Sequence, residues 1–154
     1  MIRLARPEEA DTLSALVLRS KAHWGYDAAF MARVRDTLRV TPEAIAAGGV
    51  FVAIDPGDRA LGIAALVFEG DVAVLDMLFV DPAAMGRGAG RALYTHALEM
   101  AGQAGAKRMT ILADPFAEDF YRSMGAETIG QVPSDSIPGR MLPLMAVELS
   151  HPAV

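Results

Sequence analysis

Three glycines at alternate positions lie between a strand-like run and a helix-like run of the sequence. They are Gly86, Gly88 and Gly90, within the stretch Leu78–Leu93, which reads LFVDPAAMGRGAGRAL. Glycine permits positive φ values and lets a backbone approach a ligand closely. Exposed N–H groups at the start of a helix attract an anion, most often a phosphate. The sequence therefore predicts a phosphate-binding loop that ends at the beginning of a helix.

Two common phosphate-binding motifs are disfavoured by the spacing. A dinucleotide-binding loop has the pattern GxGxxG in a βαβ unit, usually the first one of the chain. Here the spacing is GxGxG, and three strand-like runs joined by short turns precede it. A P-loop needs Gly-Lys followed by Ser or Thr, and the sequence contains neither combination. A tight turn that binds no ligand is the remaining alternative for these glycines.

The elements around the loop predict one α/β domain over residues 1–154. Three consecutive strands are joined by the turn sequences DPGDR and EGD, which are too short for parallel crossovers, so we expect antiparallel pairing. After the glycines, Ala89, Leu93, Ala97, Met100 and Ala104 are predicted to form the apolar face of a helix. The predicted strands are 2–6, 50–54, 60–69, 72–80, 107–113, 128–132 and 144–149, and further helices begin at Pro7, Asp27, Thr41 and Ala117.

Composition limits the class of protein. The 154 residues include no cysteine, which excludes disulfides, thiolate metal sites and a cysteine nucleophile. The net charge of −5 argues against nucleic-acid binding. The N-terminal residues resemble no signal peptide and the apolar runs are too short to span a bilayer, so we expect a cytoplasmic protein without a membrane partner. His23, His96 and His151 lack ligand spacing, and no metal is expected.

Two segments together resemble the GNAT superfamily of N-acetyltransferases. Leu78–Leu93 is similar to the family's acetyl-CoA loop, in which a strand is followed by Gln/Arg-x-x-Gly-x-Gly/Ala and then a helix. Asp114–Ala126, which reads DPFAEDFYRSMGA, is similar to a second family stretch. Its matching positions are Ala117, Phe120, Tyr121 and Gly125. The order of elements also fits, so the resemblance covers essentially the whole chain.

Three positions depart from the family pattern. Met85 stands where the family usually has glutamine or arginine, Asp114 stands where asparagine is common, and Ala126 replaces a phenylalanine. Backbone N–H groups do most of the phosphate binding, so Met85 affects only one side chain's contribution. Asp114 would place a negative charge near an anionic ligand unless it faces away.

The resemblance implies a mixed, mostly antiparallel sheet flanked by helices, with a βαβ crossover after the glycine loop. It also implies acetyl-CoA as the donor substrate. The pantetheine arm would pair with the strand before the loop, and the loop N–H groups would hold the pyrophosphate with help from two arginines. The donor-binding residues predicted in this way are Leu78, Phe79, Val80, Met85, Gly86, Arg87, Gly88, Ala89, Gly90, Arg91, Asp114, Phe116 and Tyr121.

Acetyl transfer to an amine needs a proton acceptor and a group that protonates the leaving thiolate. The resemblance implies Tyr121 as the general acid, and the alternative is a tyrosine packed in the core. Asp76 interrupts an apolar strand on the same face as Leu78 and Val80. Its carboxylate is predicted to accept a proton or to hold a cationic amine. The alternative is an acid satisfied by a neighbouring backbone group or arginine.

The acceptor is predicted to be a small-molecule or peptide amine. In the family fold the segment His23–Asp27 overlies the acceptor cleft, so Trp24, Tyr26 and Asp27 are candidates for binding it through aromatic faces and charge. The alternative places Trp24 in the core and makes Asp27 a helix cap. Arg140, in the late loop, is the other candidate. The sequence leaves the oligomeric state open, with a homodimer among the options.

Three functional hypotheses follow. The first is direct transfer of an acetyl group from acetyl-CoA to a primary amine. The second is a CoA-binding sensor or interaction module that kept the fold and lost catalysis. The third is a protein that binds a nucleotide other than CoA.

Overall fold

The computed structural model describes residues 1–149, which form a mixed α/β fold. Short 3₁₀ helices lie at Pro7–Glu9, Pro82–Ala84 and Pro115–Ala117. The helices are α1 (Ala10–Ala22), α2 (Ala28–Val34), α3 (Pro42–Ala46), α4 (Ala89–Gln103) and α5 (Glu118–Ser123). The strands are β1 (Ile2–Leu4), β2 (Val50–Ile54), β3 (Ala60–Glu69), β4 (Val72–Val80), β5 (Arg108–Leu112), β6 (Glu127–Pro133) and β7 (Met141–Glu148).

The seven strands form one sheet in the order β1-β2-β3-β4-β5-β7-β6. The pairs β1/β2, β2/β3, β5/β7 and β6/β7 are antiparallel. The pair β4/β5 is parallel, and α4 supplies the crossover between these two strands. The predicted fold class, a mostly antiparallel sheet with a βαβ crossover after the glycine loop, is confirmed. Among the described residues, no helix is long and apolar enough to cross a membrane.

The chain divides into two compact units, and the division falls within β3, β4 and α4. The first unit comprises Met1–Ala65 and Met77–Tyr94, and the second comprises Leu66–Asp76 and the chain from Thr95 onward. The prediction of one domain over residues 1–154 stays a prediction.

The core of the first unit is built from α1 and the strands next to it. Leu13, Leu16 and Val17 are at most 1% exposed and share a helix face with a spacing of three and four residues. They belong to one cluster with Val52 and Ile63, and Met77 and Phe79 of β4 pack against that cluster. Among the described residues of the second unit, the largest fully buried side chains belong to β5 and β7 and are Met109, Ile111 and Met145.

Local signals explain several element boundaries. Gly25, with φ +93°, follows α1, and the Asp27 carboxylate then accepts a hydrogen bond from the Phe30 N–H at 2.8 Å. The predicted start of α2 at an Asp27 cap is therefore confirmed. The first strand ends at Leu4 rather than at residue 6, because the Arg6 backbone N–H donates to the Glu9 carboxylate and opens the next turn.

The buried face of α4 differs from the predicted one. Leu93, Ala97 and Ala101 are fully buried, whereas Met100 is 37% exposed. Ala104 is exposed and lies beyond the end of the helix. The prediction was wrong for these two positions because both three-residue and four-residue steps keep a side chain on one helix face. In α4 the buried position that follows Ala97 is Ala101, four residues further along, and not Met100, three residues further along.

Candidate active site

The glycine loop contains two residues in the left-handed region of backbone conformation. Gly86 and Gly88 have φ values of +83° and +80°, which L side chains rarely adopt. A Cβ atom at either position would meet nothing within 4 Å, so backbone conformation rather than space requires glycine there. The Ala92 N–H donates to the Gly88 carbonyl at 3.0 Å, and the first N–H groups of α4 have no acceptor within the helix. Gly90 lies inside that helix.

The residues that carry charge at this loop face solvent. Arg87 and Arg91 are exposed, and so are Gly86 and Gly88. Met85 is 39% exposed, and its N–H donates to the carbonyl of Pro82 at 3.4 Å. The loop therefore presents cationic side chains and N–H groups together.

Asp81 fastens the beginning of the loop to α1. Its carboxylate accepts hydrogen bonds from Arg19 at 2.7 Å and from the Ala83 N–H at 3.1 Å, and its own N–H donates to the Leu61 carbonyl. Burial alone would raise the pKa of Asp81, but the hydrogen bonds from Arg19 and Ala83 and the positive charges of Arg19 and Arg59 outweigh it and lower the pKa. Asp81 is therefore ionised and holds the turn at the end of β4.

Gly62 allows a close approach between β3, β4 and α4. A Cβ atom built at Gly62 would lie 2.9 Å from the carbonyl oxygen of Phe79 and 2.9 Å from a methyl carbon of Leu93. These separations are shorter than van der Waals contact. Any residue other than glycine at position 62 would therefore displace the end of β4. The position of the end of β4 therefore depends on the absence of a side chain at Gly62.

The ladder between β4 and β5 ends early. Within the second unit, β4 pairs with β5 only from Val72 to Val74. Beyond that point, β5 continues to pair with β7 through Leu112. The backbone of Leu75 and Asp76 therefore has no β5 partner. An extended amide chain can add to such an unpaired strand edge.

Asp76 lies immediately after the point where the ladder ends. It is exposed, and its partial desolvation raises the pKa of its carboxyl above the usual 3.8. Within residues 1–149 its carboxylate has no hydrogen-bond or ion-pair partner. The predicted roles of Asp76 stay predictions. Because Met77 and Phe79 pack on the core, strand alternation places Asp76, Leu78 and Val80 on the opposite face.

Tyr121 lies on α5 and is 6% exposed. Its ring meets Phe120 edge to face with centroids 5.4 Å apart, and its carbonyl accepts the Ala126 N–H at 3.0 Å. Its ring packs in the interior, which is compatible with both interpretations of this residue. The predicted role as general acid stays a prediction.

The segment that precedes Tyr121 is fastened by Asp114. Its carboxylate accepts a hydrogen bond from the Phe116 N–H at 2.9 Å and lies 3.5 Å from the Arg140 guanidinium. Phe116 itself is 56% exposed. The structure thus brings two predicted residues, Asp114 and Arg140, into contact and balances the negative charge that the sequence placed in this motif.

The predicted acceptor-binding residues between α1 and α2 make contacts with other residues of the first unit. The Tyr26 ring stacks on Phe30 with centroids 3.8 Å apart, and the Lys21 ammonium lies 5.3 Å from the Tyr26 centroid. Asp27 caps α2, and Trp24 is 40% exposed rather than in the core. The predicted acceptor-binding roles of Trp24, Tyr26, Asp27 and Arg140 stay predictions.

Sequence reasoning missed Asp81, Arg19 and Gly62. The Asp-Pro pair after a strand is a capping signal that identifies Asp81. Its pairing with Arg19 joins positions 62 residues apart and has no local signal. In the described residues, no cluster of three or more His, Asp or Glu side chains could hold a metal, and His151 lies outside those residues.

Comparison with known proteins decides the family. The family model described as "Acetyltransferase (GNAT) family" matches residues 17–126, which include both motif segments. The chain belongs to this family. As a GNAT family member it is an acyltransferase.

Relatives match the chain along nearly its whole length. The peptidyl-lysine N-acetyltransferase YjaB of Escherichia coli is 31% identical over 94% of this chain and 92% of its own. The solution structure of apo YjaB has a TM-score of 0.69 at 26% identity, over 97% of this chain and 96% of YjaB. The PaiA N-acetyltransferase of Thermoplasma acidophilum, solved with coenzyme A, has a TM-score of 0.80 at 16% identity, over 96% of this chain and 98% of PaiA.

Proposed function

We propose that this GNAT enzyme transfers the acetyl group of acetyl-CoA directly to the primary amine of an acceptor. The observation that carries the proposal is the course of β4. Within the second unit, the pairing of β4 with β5 ends at Val74, and the chain continues from β4 into the loop that contains Gly86 and Gly88. A donor with an amide-bearing arm and a pyrophosphate fits a strand edge followed by an anion-binding loop.

The proposed donor contacts follow the order of β4 and the glycine loop along the chain. The pantetheine amides add to the backbone of Leu78, Phe79 and Val80, and the pyrophosphate binds the N–H groups from Gly86 to Arg91, with Arg87 and Arg91 as the nearest cations. Support comes from the exposure of the loop and its two positive φ values. The remaining proposed donor contacts are Met85, Ala89, Asp114, Phe116 and Tyr121.

The chemistry requires three events. The neutral amine attacks the thioester carbonyl, so that a C–N bond forms and the C–S bond breaks. A backbone N–H near Leu78–Val80 stabilises the oxyanion. Asp76 takes the proton that the amine loses, directly or through water, and Tyr121 protonates the departing thiolate. The carboxylate of Asp76 has no partner among residues 1–149, and this and its raised pKa support the first of these proton transfers.

The acceptor class to test first is a peptide lysine. Support comes from the peptidyl-lysine N-acetyltransferase that is 31% identical over nearly the whole chain. Trp24, Tyr26, Asp27 and Arg140 are the proposed acceptor contacts. Among these, the aromatic ring of Tyr26 already lies near one cation, that of Lys21.

A thiol-release assay tests the proposal. Acetyl-CoA is mixed with the enzyme and a lysine-containing peptide whose N-terminus is blocked, and mass spectrometry locates the added acetyl group. We expect CoA thiol and a peptide acetylated on lysine, and no product from a matched peptide that carries acetyllysine. Small primary amines run in parallel identify a different acceptor class. Binding of acetyl-CoA without thiol release for any amine would favour the sensor hypothesis instead.

A further inference from the structure

Asp114 and Arg140 form an ion pair between two segments that the sequence placed in different binding roles. The guanidinium Nη2 lies 3.5 Å from the carboxylate Oδ2, and the two side chains are 18% and 11% exposed, respectively. Pairs this far from solvent are screened much less than surface pairs. Asp114 begins the segment that leads to Tyr121, and Arg140 ends the loop between β6 and β7.

The two sides of this pair are internally fixed. On one side, the Asp114 carboxylate caps the turn through Phe116, and its carbonyl accepts the Ala117 N–H at 2.8 Å. On the other side, the Arg140 carbonyl accepts the Ser134 N–H at 2.7 Å, and the Ser134 hydroxyl accepts the Ile137 N–H at 3.1 Å. The ion pair therefore joins two segments that each have hydrogen bonds of their own.

The Asp114 carboxylate makes a charge interaction that an asparagine amide could not make. An asparagine at position 114, which the family pattern favours, would keep the hydrogen bond from the Phe116 N–H. It would lose the negative charge that faces Arg140. The departure from the family pattern therefore acts on the loop between β6 and β7 rather than on the cap of the turn.

We propose that the Asp114–Arg140 ion pair couples the donor and acceptor sites. When acetyl-CoA orders the segment from Asp114 to Tyr121, the pair transmits that order to the loop Ser134–Arg140. The acceptor then meets a preorganised loop, so the donor raises the affinity for the acceptor. Asp114 and Arg140 are positioning residues in this proposal, which rests on the proposed function.

Hydrogen exchange with CoA as the probe tests the coupling without knowledge of the acceptor. The amides of Ser134, Ile137 and Arg140 report on the loop, and those of residues 86–91 report on donor binding. At saturating CoA we expect exchange in the wild-type loop to slow by about fivefold or more. In Arg140→Met the loop should lose most of this protection, while residues 86–91 stay protected. Asp114→Asn changes a proposed donor contact, so its loop is compared at a CoA concentration that protects residues 86–91 as fully as in wild type, and there too the loop should lose most of its protection.

Further variants separate coupling from general damage. Glu148→Gln removes the ion pair of Arg108 with Glu148 in the same unit and should leave the protection of both segments intact. Arg140→Lys keeps the charge and should retain part of the loop protection. In the double variant Asp114→Asn/Arg140→Met, the second change should add little to the first, because both remove one interaction.

The failure of the coupling and the failure of donor binding would give different patterns of protection from hydrogen exchange. CoA protection at residues 86–91 with no change in the wild-type loop would overturn the coupling and leave the proposed function standing. Equal loop protection in wild type and Asp114→Asn would overturn it as well. No protection anywhere in the wild type would contradict donor binding itself, and the coupling would fall with it.

Discussion

At the scale of single residues, Asp76 combines a proposed role in proton transfer with an unfavourable effect on stability at neutral pH. The folded chain raises its pKa above 3.8 by desolvation, so the folded state holds this proton more tightly than the unfolded chain does. Protonation therefore favours the folded state below the unfolded pKa, and this contribution is lost as the pH rises through the folded pKa. At neutral pH the ionised carboxylate is a net cost to folding.

Asp76→Asn separates function from stability. We expect kcat/KM to fall by about a hundredfold, because the amine loses its proton acceptor. The same substitution should raise the melting temperature at neutral pH, and the difference from wild type should vanish in acid, where Asp76 is protonated. Kinetics and thermal melts across pH measure both effects. Identical kcat/KM values for variant and wild type at every pH would remove Asp76 from the reaction.

Tyr121→Phe tests the proposed general acid while keeping the ring that packs in the interior. We expect kcat to fall by about a hundredfold with little change in CoA affinity, since only the hydroxyl is removed. Tyr94→Phe is the matched control, because Tyr94 is fully buried and its hydroxyl has no proposed role. Steady-state kinetics would decide, and an unchanged kcat for Tyr121→Phe would make this tyrosine purely structural.

At the scale of elements, the attachment of the glycine loop to α1 depends on one buried charge. Because the pKa of Asp81 is lowered, its stabilising contribution is present above the unfolded pKa near 3.8 and is lost as the pH falls through the folded pKa. Asp81→Asn should cost about 1–2 kcal/mol of unfolding free energy at neutral pH and progressively less in acid.

The control for Asp81→Asn is an exposed ion pair. Asp71→Asn breaks the contact of Lys107 with Asp71, whose side chains are 77% and 58% exposed, and should change the free energy by less than about 0.5 kcal/mol. Denaturant unfolding at several pH values measures both variants. If Asp81→Asn lowers the free energy of unfolding by the same amount at every pH, the charge of Asp81 does not stabilise the attachment of the loop.

The close approach of β3 to β4 and α4 gives a second test at this scale. Gly62→Ala places a methyl group 2.9 Å from the Phe79 carbonyl and should cost about 1–3 kcal/mol of stability. It should also weaken CoA binding by moving the end of β4. Gly102→Ala, in α4 with open space around it, should instead stabilise the chain by up to about 1 kcal/mol. Equal effects of both substitutions would contradict the steric argument.

Elements that depend on local signals were predictable, and contacts between distant residues were not. The strands at 50–54, 60–69 and 72–80 have the predicted bounds, because turn residues and apolar runs are local features. The pairing of Asp81 with Arg19 and of Asp114 with Arg140 depends on the folded chain. The early end of the β4/β5 ladder after Val74 is also invisible in the sequence, since β4 stays apolar beyond it.

At the scale of the whole molecule, family membership and fold leave the acceptor undetermined. One fold can support many different activities, and specificity lies in loops that have no simple code. The proposed reaction requires one donor substrate. Acetyl-CoA must bind, and it must bind through its pyrophosphate at the glycine loop.

Calorimetric titration of acetyl-CoA into the purified protein tests this requirement most directly, with ATP and NAD titrated as controls. We expect one-site binding of acetyl-CoA, no comparable binding of ATP or NAD, and a large loss of affinity in Gly88→Val, where a branched side chain opposes the positive φ. The absence of acetyl-CoA binding to folded wild-type protein, or full affinity in Gly88→Val, would contradict the assignment of the donor to this loop.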